Sequence, residues 1–249
     1  APFRRQHGSN LVIVGQQEET ALGMLTTAIV SLVAQMAPAE SARFYIVDGR
    51  EANAPTTGPL ARLPEVLPSM VRLAGWRDAP AIMAELTAEI ERRQKDTGAA
   101  PALYLVLFGV QRLRDLRRQE DDFGFMRKGD GAPNPAQQFA TLLREGSVLG
   151  VHTLMWCDTL NNLQRTLDRS SMKELTMKVV FQMNVTDSSN LIDSPLASKL
   201  GLHRALFFNE EDGRLDKFRP YGLPSESWLV DVQERWARRA EARESVALP

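Results

Sequence analysis

The chain has 249 residues, 43% hydrophobic and 24% charged, which is enough to bury a sizeable core and excludes disorder as the default. Its 30 Lys and Arg against 31 Asp and Glu leave a net charge of -1, with no global pull towards nucleic acid or an acidic membrane. The single cysteine, Cys157, excludes an internal disulfide and fits a reducing compartment, and three dispersed histidines offer no metal-ligand spacing.

In chain order, residues 10–14 (NLVIV) form an apolar run that ends at Gly15 and predicts a buried strand. Leu22, Leu25, Ile29, Leu32, Val33 and Met36 follow at three- and four-residue spacings, which predicts a helix closed by Pro38. Residues 44–47 predict a second strand running into Asp48 and Gly49. The Pro-, Thr- and Gly-rich stretch 52–68 reads as a loop. A short strand over 71–73 precedes Asp78, a candidate cap for a helix over 79–95 that buries Ile82, Met83, Leu86 and Ile90. Its other face carries Glu89 with Arg93 and Glu91 with Lys95 at helpful spacing.

Residues 103–108 form the most apolar run, too short to span a bilayer, so no membrane segment is expected. Residues 124–135 read as an exposed loop, 136–145 as a helix, 151–156 as a strand and 160–175 as a helix. Late strands over 179–183 and 205–208 precede a final helix holding Trp228, Leu229, Val232 and Trp236 beside Arg235, Arg238, Arg239 and Arg243. Strands alternating with helices predict a mostly parallel central sheet with helices on both faces, in one domain over 1–249. The chain enters its first strand almost at once, which suggests a domain of a longer protein.

A strand ending in glycine and leading into a helix is where a phosphate-binding loop sits, because backbone N–H groups at the helix start face the anion. Laid from Gly15, the GxxxxGK[ST] pattern falls on Gly15, Gln16, Gln17, Glu18, Glu19, Thr20, Ala21 and Leu22. Thr20 takes the place of the second glycine, Ala21 that of the lysine and Leu22 that of the hydroxyl.

Collinear segments then resemble the motor domain of the FtsK/SpoIIIE family of RecA-like ATPases along nearly the whole chain. Residues 44–50 (FYIVDGR) look like the family's second strand with its Ile-Asp-Pro-Lys-type turn. Residues 86–95 (LTAEIERRQK) resemble its helix ending in Glu-Met-Glu-Arg-Arg-Tyr, and Gly150, Val151 and His152 its Gly-Ile-His before the sensor strand. Residues 186–193 (TDSSNLID) resemble its Asp-Ser-Arg-Thr-Ile-Leu-Asp segment, and Lys199, Leu200 and Gly201 the Lys-Leu-Leu-Gly that follows. The departures fall on the chemistry. Gly109 and Val110 stand where the family has the Walker B Asp-Glu pair, Asp158 ends the sensor strand, and Ser189 replaces an arginine.

The resemblance implies an α/β, RecA-like P-loop NTPase fold. Phosphoryl transfer rests on positioning and charge neutralisation. Ala21 has no charge for a phosphate, Leu22 and Gly109 cannot hold magnesium, and Val110 cannot orient water. The expectation is therefore a non-catalytic module without a cofactor, serving a regulatory, structural or partner-binding role in a larger translocase-like protein. It would sit beside other ATPase domains or in a ring, in the cytoplasm, tethered to the inner membrane through other parts of the protein. DNA is only weakly signalled as a partner. Two alternatives stay open: a DNA-dependent translocase that binds ATP and magnesium at an atypical site, and a vacated pocket that takes a peptide. Two readings also stay open for Glu18 and Glu19, as carboxylates filling the anion cradle or as a solvated first helical turn.

Elsewhere the structural reading leads. His152 beside Gly150 has no nucleophile in motif context, and Cys157 ends an apolar strand as a small hydrophobe. Arg112, Arg114, Arg117 and Arg118 precede Glu120, Asp121 and Asp122, which predicts a solvated, salt-bridged surface, with phosphate binding as the minority reading. The loop 127–131 lies where hexameric motors place pore loops. The C-terminal arginines and tryptophans fit docking against a neighbouring domain as well as a membrane surface.

Overall fold

The computed structural model describes residues 1–35, 42–50, 58–96, 98, 100–118 and 134–246, with the backbone alone for 240–246. Four consecutive apolar residues leave no face for water, and β1 (Leu11–Val14) is accordingly buried on both sides. It is followed by α1 (Glu18–Gln35), β2 (Ala42–Asp48), α2 (Pro59–Val66), β3 (Val71–Gly75), α3 (Ala79–Lys95) and β4 (Ala102–Phe108). Then come α4 (Pro135–Glu145), β5 (Val151–Cys157), α5 (Leu160–Thr166), α6 (Arg169–Lys173), β6 (Met177–Val180) and α7 (Val185–Ile192). The chain ends in the hairpin β7 (Ala205–Asn209) and β8 (Arg214–Phe218) and in α8 (Glu226–Val246).

The strands make one sheet in the order β3-β2-β4-β5-β1-β6-β7-β8. Those from β3 to β6 run parallel, and β7 and β8 add antiparallel at one end. Alternation splits β1 between two cores. Val12 and Val14 join Leu105, Leu107, Ile82, Leu86 and Phe139, while Leu11 and Ile13 join Val106, Phe108, Leu25, Ile29 and Leu63. Helices thus cover both faces, as the alternating pattern predicts. β2 to β5 lie to one side of β1 and β6 to the other, so β1 marks the switch point whose carboxyl edge opens a crevice.

Several expectations need correction. Residues 59–66, read as loop, form α2. Burying Leu60, Leu63 and Val66 is worth roughly 5 kcal/mol and exceeds the ~3 kcal/mol cost of Pro64 inside the helix. The helix over 160–175 is broken between α5 and α6, because the Asp168 side chain caps the Ser171 amide at 2.7 Å and starts a new helix. β6 ends at Val180, earlier than expected, and β8 pairs with β7 although its mixed RLDKF pattern gave no strand signal. Asp78 does not cap α3; its carboxylate accepts the Gly75 amide at 3.2 Å and closes the preceding turn. Trp228, Val232 and Trp236 pack on this domain's own core, so the apolar face of α8 is already used. Met36, Pro38, Glu120, Asp121, Asp122, loop residues 52–57 and 124–133 and the Arg243 side chain lie outside the described residues.

Away from the carboxyl edge, α3 is tied to the sheet by a buried arginine. Arg93 donates to the Glu89 carboxylate at 2.7 Å, to the Leu149 carbonyl at 2.8 Å and to the Pro101 carbonyl at 2.7 Å. Glu91 and Lys95 form no ion pair among the described residues. Hydrogen bonds from Arg92 and Arg93 hold the Glu89 carboxyl at about 2, against the partial burial that would raise it. Because that value lies below the ordinary 4.5, the pair stabilises the fold fully above pH 4.5 and loses its contribution as pH falls towards 2. Glu89→Gln should therefore be less stable than the parent in urea at pH 7, and the gap should close in that acid window. Arg93→Ala should cost about 3 kcal/mol by the same assay, because buried carbonyls lose their donor.

Candidate functional site

β1 delivers Gly15 to the crevice. Its amide donates to the Cys157 carbonyl at 3.1 Å, which continues the ladder one step past the strand. Gly15 has φ +139°, and a side chain there would meet Phe181 at 2.7 Å, so the turn requires glycine. Only Gln16 and Gln17 separate it from α1, which starts at Glu18. The helix therefore begins inside the span that a phosphate-binding loop would use for wrapping. Gln16 and Glu19 are exposed, Gln17 and Thr20 half-buried, and Ala21 and Leu22 are buried in the core.

At the end of β4, Gly109 adopts a left-handed conformation (φ +82°) and Val110 is fully buried against Leu107 and Cys157. The turn lifts Arg112 back over the crevice. Its guanidinium grips the Glu18 carboxylate with both ends, at 3.0 and 2.6 Å, joining residues 94 apart in sequence. The same guanidinium lies 5.6 Å from the centre of the Trp156 ring, whose indole N–H donates to the Gly15 carbonyl at 2.9 Å. The hydrogen bond that Arg112 donates to Glu18 raises the Arg112 pKa against desolvation, with further attraction from Asp48 and Asp158.

A second acid–base pair stands beside it. Asp48, at the end of β2 and fully buried, receives the Arg50 amide at 2.9 Å and its guanidinium at 2.6 to 3.1 Å. Arg50 also lies 5.4 Å over the Phe108 ring. Asp158, at the end of β5, is held by the Asn162 amide at 2.8 and 3.1 Å, and its own amide reaches Gln111 at 3.4 Å.

The crevice divides in two. A cleft of about 890 Å³ is lined by Glu18, Arg50, Trp76, Gln111, Arg112 and Arg117. A smaller one of about 320 Å³ is lined by Gly15, Gln16, Asp158, Asn184 and Asp187. The structure thus brings Gly15, Gln16, Glu18 and Asp158 to one edge with Gly109, and turns Ala21, Leu22 and Val110 into the core. Ser189 sits half-buried on α7, its carbonyl accepting the Asp193 amide.

Arg112 was expected to pair with the acids that follow it in sequence; its partner is Glu18. No local spacing points to that contact. Asp48 and Arg50 were legible only as a strand end. His152 is buried at the opposite end of β5, where Nδ1 donates to the Ser9 carbonyl at 2.9 Å between the rings of Phe3 and Tyr104. Burial lowers its pKa, opposed by the hydrogen bond to Ser9 and reinforced by Arg5 and Arg93, and the ring packs as part of the core. Burial pushes the Cys157 thiol up to about 12, which disqualifies it as a nucleophile.

A mostly parallel eight-stranded sheet with a crevice at its carboxyl edge and helices on both faces is an α/β architecture that P-loop NTPases of known structure share. The cytoplasmic domain of the type VII secretion ATPase EccC from Thermomonospora curvata aligns with a TM-score of 0.65 at 16% identity, over 92% of this chain and 28% of that one. EssC (ATPases 2 and 3) from Geobacillus thermodenitrificans gives 0.62 at 15%, over 96% and 45%. The pCW3 conjugation coupling protein TcpA, in a structure with ATPγS, gives 0.64 at 11%, over 91% and 65%. These are P-loop ATPases of the FtsK/SpoIIIE type, and this chain has their fold. It spans about a quarter of EccC and under half of EssC. No protein family profile and no curated protein matches the sequence. Among the described residues, no helix is long and apolar enough to cross a membrane.

Gly15→Ala should cost about 2 kcal/mol in a denaturant titration, because the turn tolerates neither the conformation nor the extra atom. Cys157 should stay unlabelled by a thiol reagent in the native protein and react only on unfolding.

Proposed function

We propose that the domain is a non-catalytic, FtsK/SpoIIIE-like module that works as a structural, regulatory or partner-binding unit of a larger translocase-like protein. The observation that carries this reading is the Glu18–Arg112 pair. A carboxylate stands at the start of α1 on the crevice floor, and the Arg112 guanidinium beside it is already engaged by it. Mg-ATP does not fit these residues. The positions matching the lysine and hydroxyl of a phosphate-binding loop are Ala21 and Leu22, both buried among apolar side chains, and those matching the Walker B acids are Gly109 and Val110. The Asp158 carboxylate is held by the Asn162 side-chain amide.

The fold shared with tandem ATPases supports partner domains of the same kind, in one chain or in a ring, as the context of the module. A cytoplasmic location, with any membrane tether supplied by other parts of the protein, follows from that context and from the single buried thiol. DNA contact has no positive support at the described surface.

Two measurements test the proposal. Isothermal titration with Mg-ATP should give no saturable binding in the micromolar range, and phosphate release should stay at background with or without double-stranded DNA. Micromolar binding, or turnover abolished by substituting Thr20, would overturn it in favour of an ATP-driven translocase with an atypical site.

A further inference from the structure

The cleft beside β4 contains a cation whose position does not depend on the anion it now binds. Arg112 is held in three ways that leave Glu18 out. Its stem crosses Gly109, where an added side chain would come within 3.3 Å of its Cδ. Its guanidinium packs on the Trp156 ring, and that ring is anchored by its N–H to the Gly15 carbonyl. Arg112 is also the last residue of a helical turn that its own amide closes onto the Gly109 carbonyl at 2.9 Å. The guanidinium thus presents a fixed two-pronged donor edge to the cleft, and Glu18 occupies it with both carboxylate oxygens.

We propose that the Glu18 carboxylate is a built-in substitute for an oxyanion, and that the edge of Arg112 is a latent site for phosphate-class anions kept closed by this one side chain. The inference rests on the non-catalytic reading above and supplies its device: exclusion of phosphate by occupation as well as by missing residues. Both side chains are partly open to solvent, at 34% for Arg112 and 39% for Glu18. A pair so exposed contributes little to folding, so Glu18 can be changed without unfolding the chain. The cleft, at about 890 Å³, has room for a small inorganic anion. The remaining charges facing Arg112 are accounted for. Asp48 is neutralised by Arg50, Asp158 is held by Asn162, and Arg114 and Arg117 border the cleft with Asp115.

The probe is inorganic pyrophosphate, titrated calorimetrically at low ionic strength, where exposed charges are least screened. Glu18→Gln keeps the side-chain shape and removes the charge. It should bind pyrophosphate at least about tenfold more tightly than the parent chain, as expected for a freed charge-assisted donor pair. The gain should vanish in Glu18→Gln combined with Arg112→Gln, and Glu19→Gln should leave binding at the parent level. No gain in Glu18→Gln, a gain that survives loss of Arg112, or an equal gain from Glu19→Gln would each overturn the inference. If Glu18→Gln proves poorly folded by circular dichroism, Glu18→Ala carries the same expectation. Failure of the functional reading looks different, because it would appear as ATP turnover by the unsubstituted chain.

Discussion

β1 has a parallel neighbour on each edge and a packed core on each face, and its four side chains are accordingly all apolar. Everything at the crevice hangs from its carboxyl end. The Gly15 amide extends the ladder to Cys157, the Phe181 amide reaches back to the Val14 carbonyl, and the Trp156 indole ties the next strand to the same turn. With that end pinned from two sides, the start of α1 has one place to be. Glu18 is therefore aimed across the sheet edge at whatever β4 presents there.

What β4 presents is the second half of the design. Where a catalytic domain of this fold would need carboxylates for a metal, the chain has a left-handed glycine and a buried valine, and a basic side chain folds back over them. The polarity of the edge is inverted relative to a nucleotide engine, with the acid on the loop and the base on the opposing strand. Asp48 and Arg50 repeat the arrangement one strand further out, inside a single turn. Charges that would serve a ligand are matched to each other.

The fold was largely legible because its signals are local and strong. Continuous apolar runs such as 103–108 can only be strands buried on both faces, and the spacing of Ile82, Leu86 and Ile90 can only be one helical face. The misses share a cause. α2 lies in a stretch of turn-forming residues whose few apolar side chains are rescued by tertiary burial. β8 is an edge strand with one neighbour, so its pattern is diluted by solvent-facing charges, which also guard a sheet edge. At the site, the phosphate-binding pattern laid from Gly15 falls on the turn that opens the crevice, and Glu18 lies within its span. Its partner was not legible, because a contact between residues 94 apart leaves no periodicity to read. Arg112 looked like one of several surface arginines until Gly109 and Trp156 gave it an address.

The place of β1 in the sheet also sets a timetable. Leu11 pairs with Leu154 on one side and Met177 on the other, so β1, which leaves a ribosome before every other strand of this sheet, is among the last to have both neighbours. Until about residue 180 is available, the emerging chain carries one edge of β1 uncovered, and early pairing of β2 with β4 builds only the outer part of the sheet. High sequence separation of this kind slows folding and lengthens exposure to aggregation. A fragment truncated before β6 would keep most of its helices and lack the one neighbour that completes its centre.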